Sequence, residues 1–190
     1  MMENLIIVSG LSGAGKTTLV DYALKFFPDS RKVLTCTTRK MRRGEENGVH
    51  YRFYTRRQFT IRRECGQFAE SKSSVYGNMY GTRKEDILSA CGSATLVFLI
   101  VDIQGLKTLS KLYPKSRKIF ITAETGDLAK RLTERSMSAP EVHKRIKTIA
   151  RENEQMLKLS LDVIIENKND ELEYVQKLFC ALIQNMVNKE

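Results

Sequence analysis

Short, continuously apolar runs alternate along this chain with longer segments in which apolar residues recur every three or four positions. The runs fall near residues 4–9, 33–36, 95–101, 118–122 and 161–165, and the helical patterns near 15–27, 83–91, 103–112, 125–135, 140–158 and 170–187. Strands apolar on both faces belong in a buried parallel sheet, and helices between them supply the crossovers, so the alternation predicts an α/β fold. Residues 38–82 break the pattern: they are polar, rich in Gly, Tyr and Arg, and carry only short alternations such as His50-Tyr51-Arg52-Phe53-Tyr54. A small inserted subdomain with its own sheet is expected there. A second interruption, Ser136-Met137-Ser138-Ala139-Pro140, separates two charged helical patterns and suits a hinged lid. With 190 residues and no internal repeat or low-complexity tract, the chain reads as one domain.

The run Leu5-Ile6-Ile7-Val8 leads directly into Gly10-Leu11-Ser12-Gly13-Ala14-Gly15-Lys16-Thr17, and helical spacing continues from Thr18 to Phe27 before Pro28 stops it. A G-x-x-x-x-G-K-T segment between a buried strand and a helix is a phosphate loop. Its glycines let the backbone wrap an anion, successive N–H groups and a helix N-terminus point at that anion, the lysine reaches the outer phosphates, and the threonine hydroxyl can ligate Mg²⁺. Gly10, Ser12, Gly13, Ala14, Gly15, Lys16, Thr17 and Thr18 are therefore the candidate set for a nucleoside triphosphate.

Composition narrows the partners. At 42% apolar residues with three prolines, the chain has the makings of a packed core. Its longest apolar stretches, such as Leu96-Val97-Phe98-Leu99-Ile100-Val101, are too short to span a bilayer, and the N-terminus lacks a cationic start, so a cytoplasmic location is expected. Cys36, Cys65, Cys91 and Cys180 are widely spaced with no C-x-x-C, which argues for reduced thiols rather than a zinc site or a disulfide framework. The formal charge of +10 concentrates in Arg39, Lys40, Arg42, Arg43, Arg52, Arg56, Arg57, Arg62 and Arg63. No RNA-binding signature accompanies them, so part of the cluster is expected to handle substrate phosphate. Arg56, Arg57, Arg62 and Arg63, on a short helical pattern, read as a solvated face.

Thr37-Thr38-Arg39-Lys40-Met41-Arg42-Arg43-Gly44-Glu45-Glu46-Asn47-Gly48-Val49-His50-Tyr51 joins two arginines three apart to a glycine turn and a tyrosine. Arginine offers a planar fork to phosphate oxygens and a tyrosine hydroxyl adds a directional bond, which makes a plausible monophosphate clamp. Further on, Gly66-Gln67-Phe68-Ala69-Glu70 precedes Tyr76-Gly77-Asn78-Met79-Tyr80-Gly81-Thr82. In this order after the phosphate loop, these segments closely resemble the guanylate kinase family, whose pattern is GPSGxGK[ST]T, then TTRxxRxGExNGxDYxF, then FxE and YGT. The likeness continues through Asp102-Ile103-Gln104-Gly105, Arg131-Leu132 with Arg135, Arg145, and Ile164-Ile165 with Asn167.

The resemblance implies a three-part nucleoside monophosphate kinase. Its core would be about residues 1–34, 83–124 and 159–190, its GMP-binding subdomain about 35–82, and its helical lid about 125–158. It implies transfer of the γ-phosphoryl group of ATP to GMP, and to dGMP, in purine nucleotide metabolism, with Mg²⁺ and without nucleic acid or membrane. By this likeness Arg39, Arg42, Tyr51 and Tyr80 hold the GMP phosphate, with Glu45 orienting the arginines or touching the nucleotide. Glu70, Thr35 and Thr82 read guanine, because a carboxylate accepts from N1–H and the exocyclic amine whereas adenine offers no donor at N1. Lys16 and Thr17 hold ATP and Mg²⁺, Asn167 lies with the donor nucleotide, and Asp102 organises metal waters or the acceptor. Arg131, Arg135 and Arg145 neutralise the transferring group in an in-line reaction without a covalent intermediate.

Some residues carry plainer expectations. Lys40 and Arg43 read as surface charges, Phe53 and Tyr54 as packing residues, and His50 and His143 as exposed. The chain departs from the family pattern at Leu11, His50, Ile100 and Ser136, and its interval from Glu70 to Tyr80 is about one residue longer. Two other readings stay open: a catalytically weak or inactive interaction module of the same fold, and a kinase for another phosphorylated acceptor.

Overall fold

A computed structural model of the chain describes residues 2–73, 77–134 and 139–188, apart from the side chain of Ala150. Strands β1 (Leu5–Gly10), β2 (Ser30–Lys32), β7 (Leu96–Ile100), β8 (Arg117–Thr122) and β9 (Val163–Glu166) form a parallel sheet in the order β2-β7-β1-β8-β9. Every residue of β1 is buried, as expected of a central strand covered on both faces. Helices α1 (Lys16–Phe26), α3 (Lys84–Ser93), α4 (Ile103–Leu112), α5 (Thr125–Glu134), α6 (Ala139–Met156) and α7 (Leu172–Val187) account for the connections and the covering layers. The helical spacing that predicts α4 shows why it sits where it does. Ile103, Leu106 and Leu109 turn one stripe into the core with Leu19, Val20, Phe179 and Ile183, and each such fully buried side chain contributes about 1.5 to 3 kcal/mol gross.

The inserted region has its own sheet, ordered β4-β3-β6-β5 from β3 (Cys36–Thr37), β4 (Arg52–Phe53), β5 (Phe68–Ser73) and β6 (Met79–Arg83). Helix α2 (Arg56–Glu64) lies on it, started by a reciprocal cap in which Gln58 N–H donates to Thr55 Oγ1 at 3.2 Å and Thr55 N–H to Gln58 Oε1 at 2.9 Å. Phe59 stacks on Phe68 with ring centroids 4.5 Å apart, and these rings close a second small core with Cys36 and Met79. Burial there pushes the Cys36 thiol up to about 12, so it is an inert packing group.

The expected strand at 33–36 is corrected. Its place in the parallel sheet is taken by Ser30–Lys32, while Cys36–Thr37 joins the inserted sheet. The physical reason is position: β2 is an edge strand, where half-exposed polar residues are tolerated, and the apolar Val33 ends its ladder by donating its N–H to Phe98 O at 2.8 Å. Likewise the alternation at 50–54 yields only the two-residue strand Arg52–Phe53. Residues 135–138, which include most of the expected hinge, lie outside the described residues. Among the described residues no helix is long and apolar enough to cross a membrane.

Candidate nucleotide site

The loop between β1 and α1 lies at the carboxyl edge of the parallel sheet, where open α/β sheets bind ligands. Two glycines are obligatory there. Gly10 has φ 150° and a Cβ on it would run into the carbonyl of Ile121, while Gly15 has φ 87° and its Cβ would strike the amide of Asn167. Gly15 also starts α1 without a side-chain cap, so the helix's first N–H groups face the loop's interior. Lys16 Nζ folds back to donate to Gly10 O at 2.7 Å and Leu11 O at 2.9 Å, which holds its charge at the loop mouth. Ser12 is half-buried, and Thr17 and Thr18 are exposed on the first turn of α1.

Asn167 braces this loop from behind. Its side chain donates to Ala14 O at 2.8 Å, and its own backbone N–H donates to Thr122 O at 2.8 Å. Arg131 fixes that brace, donating to Asn167 O at 2.8 Å and to Asn169 Oδ1 at 2.7 Å. Arg131 therefore sits at the loop's outer support rather than on the cavity wall.

Facing the loop is a cavity of about 250 Å³ whose lining includes Gly10, Ser12, Lys16, Thr35, Tyr51, Glu70, Tyr80, Asp102 and Arg145. Residues separated by more than a hundred positions thus meet in one space. Glu70 and Thr82 are cross-strand partners on β5 and β6, and Thr82 Oγ1 donates to Glu70 Oε1 at 2.6 Å. Burial raises the Glu70 carboxyl above its ordinary range, opposed by that hydrogen bond. Asp102 caps α4, its Oδ1 accepting from Gln104 N–H at 3.0 Å and Gly105 N–H at 2.9 Å. Its other oxygen is ion-paired with Lys72 Nζ.

Arg39, Arg42 and Glu45 form a neighbouring cluster outside that lining. Arg39 makes a two-pronged contact with Glu45 at 2.8 Å on each prong, and Glu45 also accepts from Arg42 N–H at 2.7 Å. The Arg39 guanidinium holds Glu45 down to about 2, so the pair is charged at any ordinary pH. Arg39 also lies 5.4 Å from the centre of the Tyr51 ring, which links the cluster to the cavity. The Arg42 side chain is exposed. Arg135 and Tyr76 lie outside the described residues.

The plainer expectations hold. Lys40, Arg43, His50 and His143 are exposed, and Phe53 and Tyr54 are half-buried, with Tyr54 packed on the second core beneath the Arg62 guanidinium. Of the four arginines expected on a solvated face, Arg56, Arg57 and Arg63 are exposed while Arg62 is half-buried over the Tyr54 ring, and all four cysteines are free. Two charged cavity residues escaped the sequence reading, Lys72 and Glu152. Spacing marks only a shared face: Lys72 is two residues from Glu70 on a strand and Glu152 is seven from Arg145 on a helix, so each lies beside a residue already singled out.

With an anion-binding loop, a carboxylate and two tyrosines on one cavity, fold and site define a P-loop nucleotide-binding protein. A family model described as guanylate kinase matches residues 2–185. The chain is 34% identical to a guanylate kinase of Helicobacter pylori over 187 residues, 98% of this chain and 89% of that protein. It is 39% identical to one from Pseudomonas fluorescens over 139 residues, 73% of this chain and 67% of that protein. The crystal structure of guanylate kinase from Anaplasma phagocytophilum superposes with a TM-score of 0.73 at 21% identity, covering 95% of this chain and 84% of that one, and so shares the fold. The chain belongs to the guanylate kinase family.

Proposed function

We propose that the two walls of the cavity hold the two substrates of one phosphoryl transfer. The chain is an enzyme that phosphorylates GMP to GDP with ATP as donor. The observation that carries the residue assignment is that Lys16 of the phosphate loop and Glu70 of the inserted sheet line the same 250 Å³ cavity. On the donor side, the loop from Gly10 to Thr18 takes the triphosphate and Asn167 keeps the loop in shape. On the acceptor side, Glu70 reads guanine N1–H and the exocyclic amine, with Thr35 beside it on the wall and Thr82 holding its carboxylate in place. Tyr51, Tyr80 and the Arg39, Arg42 and Glu45 cluster address the GMP phosphate.

A phosphate oxygen of GMP attacks the γ-phosphorus as the bond to the bridging oxygen of ADP breaks, so no residue forms a covalent intermediate. The protein's task is positioning and charge neutralisation, a role open to Lys16 and Arg145, which both line the cavity. Mg²⁺ fits the donor side: Thr17 offers a hydroxyl on the first turn of α1, and among the described residues no cluster of three His, Cys, Asp or Glu side chains forms a cage. Such a set suits a cation held mainly by phosphate oxygens and water, which supplies charge neutralisation when bound. We assign residues 35–82 to the acceptor subdomain and 125–158 to a lid whose helix α6 carries Arg145 over the cavity.

Release of ADP with GMP, dGMP, AMP, UMP and CMP as acceptors tests this reading. Turnover is expected with GMP and dGMP, and with AMP at an efficiency lower by about a hundredfold or more, because adenine leaves the buried carboxylate unpaired. Equal turnover with AMP would overturn the assignment of Glu70, and no turnover with any acceptor would favour the interaction-module reading.

A further inference from the structure

Lys72 stands at the meeting point of three parts of the molecule, and none of the roles above uses it. It projects from β5 two residues after Glu70, and in the ladder with β6 it is directly opposite Tyr80. Strand geometry therefore puts Glu70, Lys72 and Tyr80 on one face of the inserted sheet, and all three line the cavity. Across the cavity Lys72 Nζ is ion-paired with Asp102, which belongs to the core, and Glu152 of α6 lies close enough to act on its charge.

The charges of the lining set what this lysine can do. Lys16, Lys72 and Arg145 face Glu70, Asp102 and Glu152, so the cavity is balanced before any ligand enters. A nucleoside monophosphate brings up to about two further negative charges, all of them on the phosphate. An ammonium on a flexible stem, partly desolvated and ion-paired with Asp102, is the group that can change partners to meet them. Burial draws the Lys72 ammonium below its ordinary range while Glu152 and Glu70 support its charge.

We infer that Lys72 is an additional phosphate contact for the acceptor nucleotide, leaving Asp102 for the acceptor's phosphate oxygens when the nucleotide binds beside Tyr80. Asp102 serves as its resting partner. This rests on the reading of the cavity as the GMP site and adds a residue to it. One consequence follows for specificity: the preference for the phosphorylated nucleotide over the bare nucleoside is set in part at Lys72.

Calorimetry with GMP and with guanosine separates this role from a structural one. In Lys72→Met the affinity for GMP should fall about tenfold or more, the loss expected for one charge-assisted hydrogen bond, while guanosine binds within about twofold of the parent. In Asp102→Asn the hold on Lys72 is loosened, and the ratio of GMP to guanosine affinity should rise. A ratio unchanged in Lys72→Met, whether because both ligands weaken together or because neither does, overturns the inference, as does a ratio that stays the same or falls in Asp102→Asn. If Lys72→Met does not fold, the Asp102→Asn ratio decides alone. Failure of the parent chain to bind GMP would instead refute the site itself.

Discussion

Thr82 donates its hydroxyl proton to Glu70 at 2.6 Å, across the ladder of the inserted sheet, and is itself fully buried behind the cavity wall. Thr82 thus acts through Glu70, fixing one carboxylate oxygen and resisting the upward pull of burial on its pKa. Glu70→Gln should lower kcat/KM for GMP about ten- to a hundredfold, since an amide cannot present two acceptors to guanine, and should narrow the preference over AMP. A GMP to AMP ratio that does not change would place base recognition elsewhere.

The same pair predicts a pH dependence. A carboxyl whose pKa is raised accepts guanine only above that pKa, so GMP efficiency should fall as the pH drops through it. Thr82→Val removes the hydrogen bond that opposes the rise, so the acidic limb of kcat/KM for GMP should move to higher pH while the KM for ATP stays put. A limb that stays in place, or moves to lower pH, would contradict the coupling.

Arg131 and Arg145 should behave differently although the family resemblance gives them one role. Arg145 lines the cavity, so Arg145→Ala is expected to depress kcat by about a hundredfold or more with much smaller changes in nucleotide affinity. Arg131 instead secures Asn167 and Asn169 behind the loop. Arg131→Ala should resemble Asn167→Ala, with unfolding free energy lower by about 1 to 3 kcal/mol and a raised KM for ATP. Denaturant unfolding and initial rates distinguish the two patterns, and a pure kcat effect at Arg131 would return it to the transferring phosphoryl group.

The parallel core was legible because burial on both faces of a strand leaves continuous apolar runs, and α4 was found to the residue because its apolar stripe starts directly after a capping aspartate. The phosphate loop was legible because its glycines answer steric demands at Gly10 and Gly15 that few other residues meet. Strand β2 was not, since Ser30-Arg31-Lys32 at a sheet edge carries no apolar signal. Lys72 and Glu152 were missed because charged residues at single positions look like solvated surface until a second sheet and a helix bring them to one cavity. Tertiary placement, not local pattern, gives them meaning.

The central claim is that one cavity has a donor wall built on Lys16 and a separate acceptor wall built on Glu70. Measuring turnover and GMP affinity side by side in Lys16→Ala tests it most directly. Lys16 donates to the carbonyls of Gly10 and Leu11 in its own loop, which keeps its ammonium on the proposed donor side, so turnover should fall by about a hundredfold or more while GMP binds within about twofold of the parent. GMP phosphorylation at near the parental rate would contradict the account, because the loop would then not be the donor site.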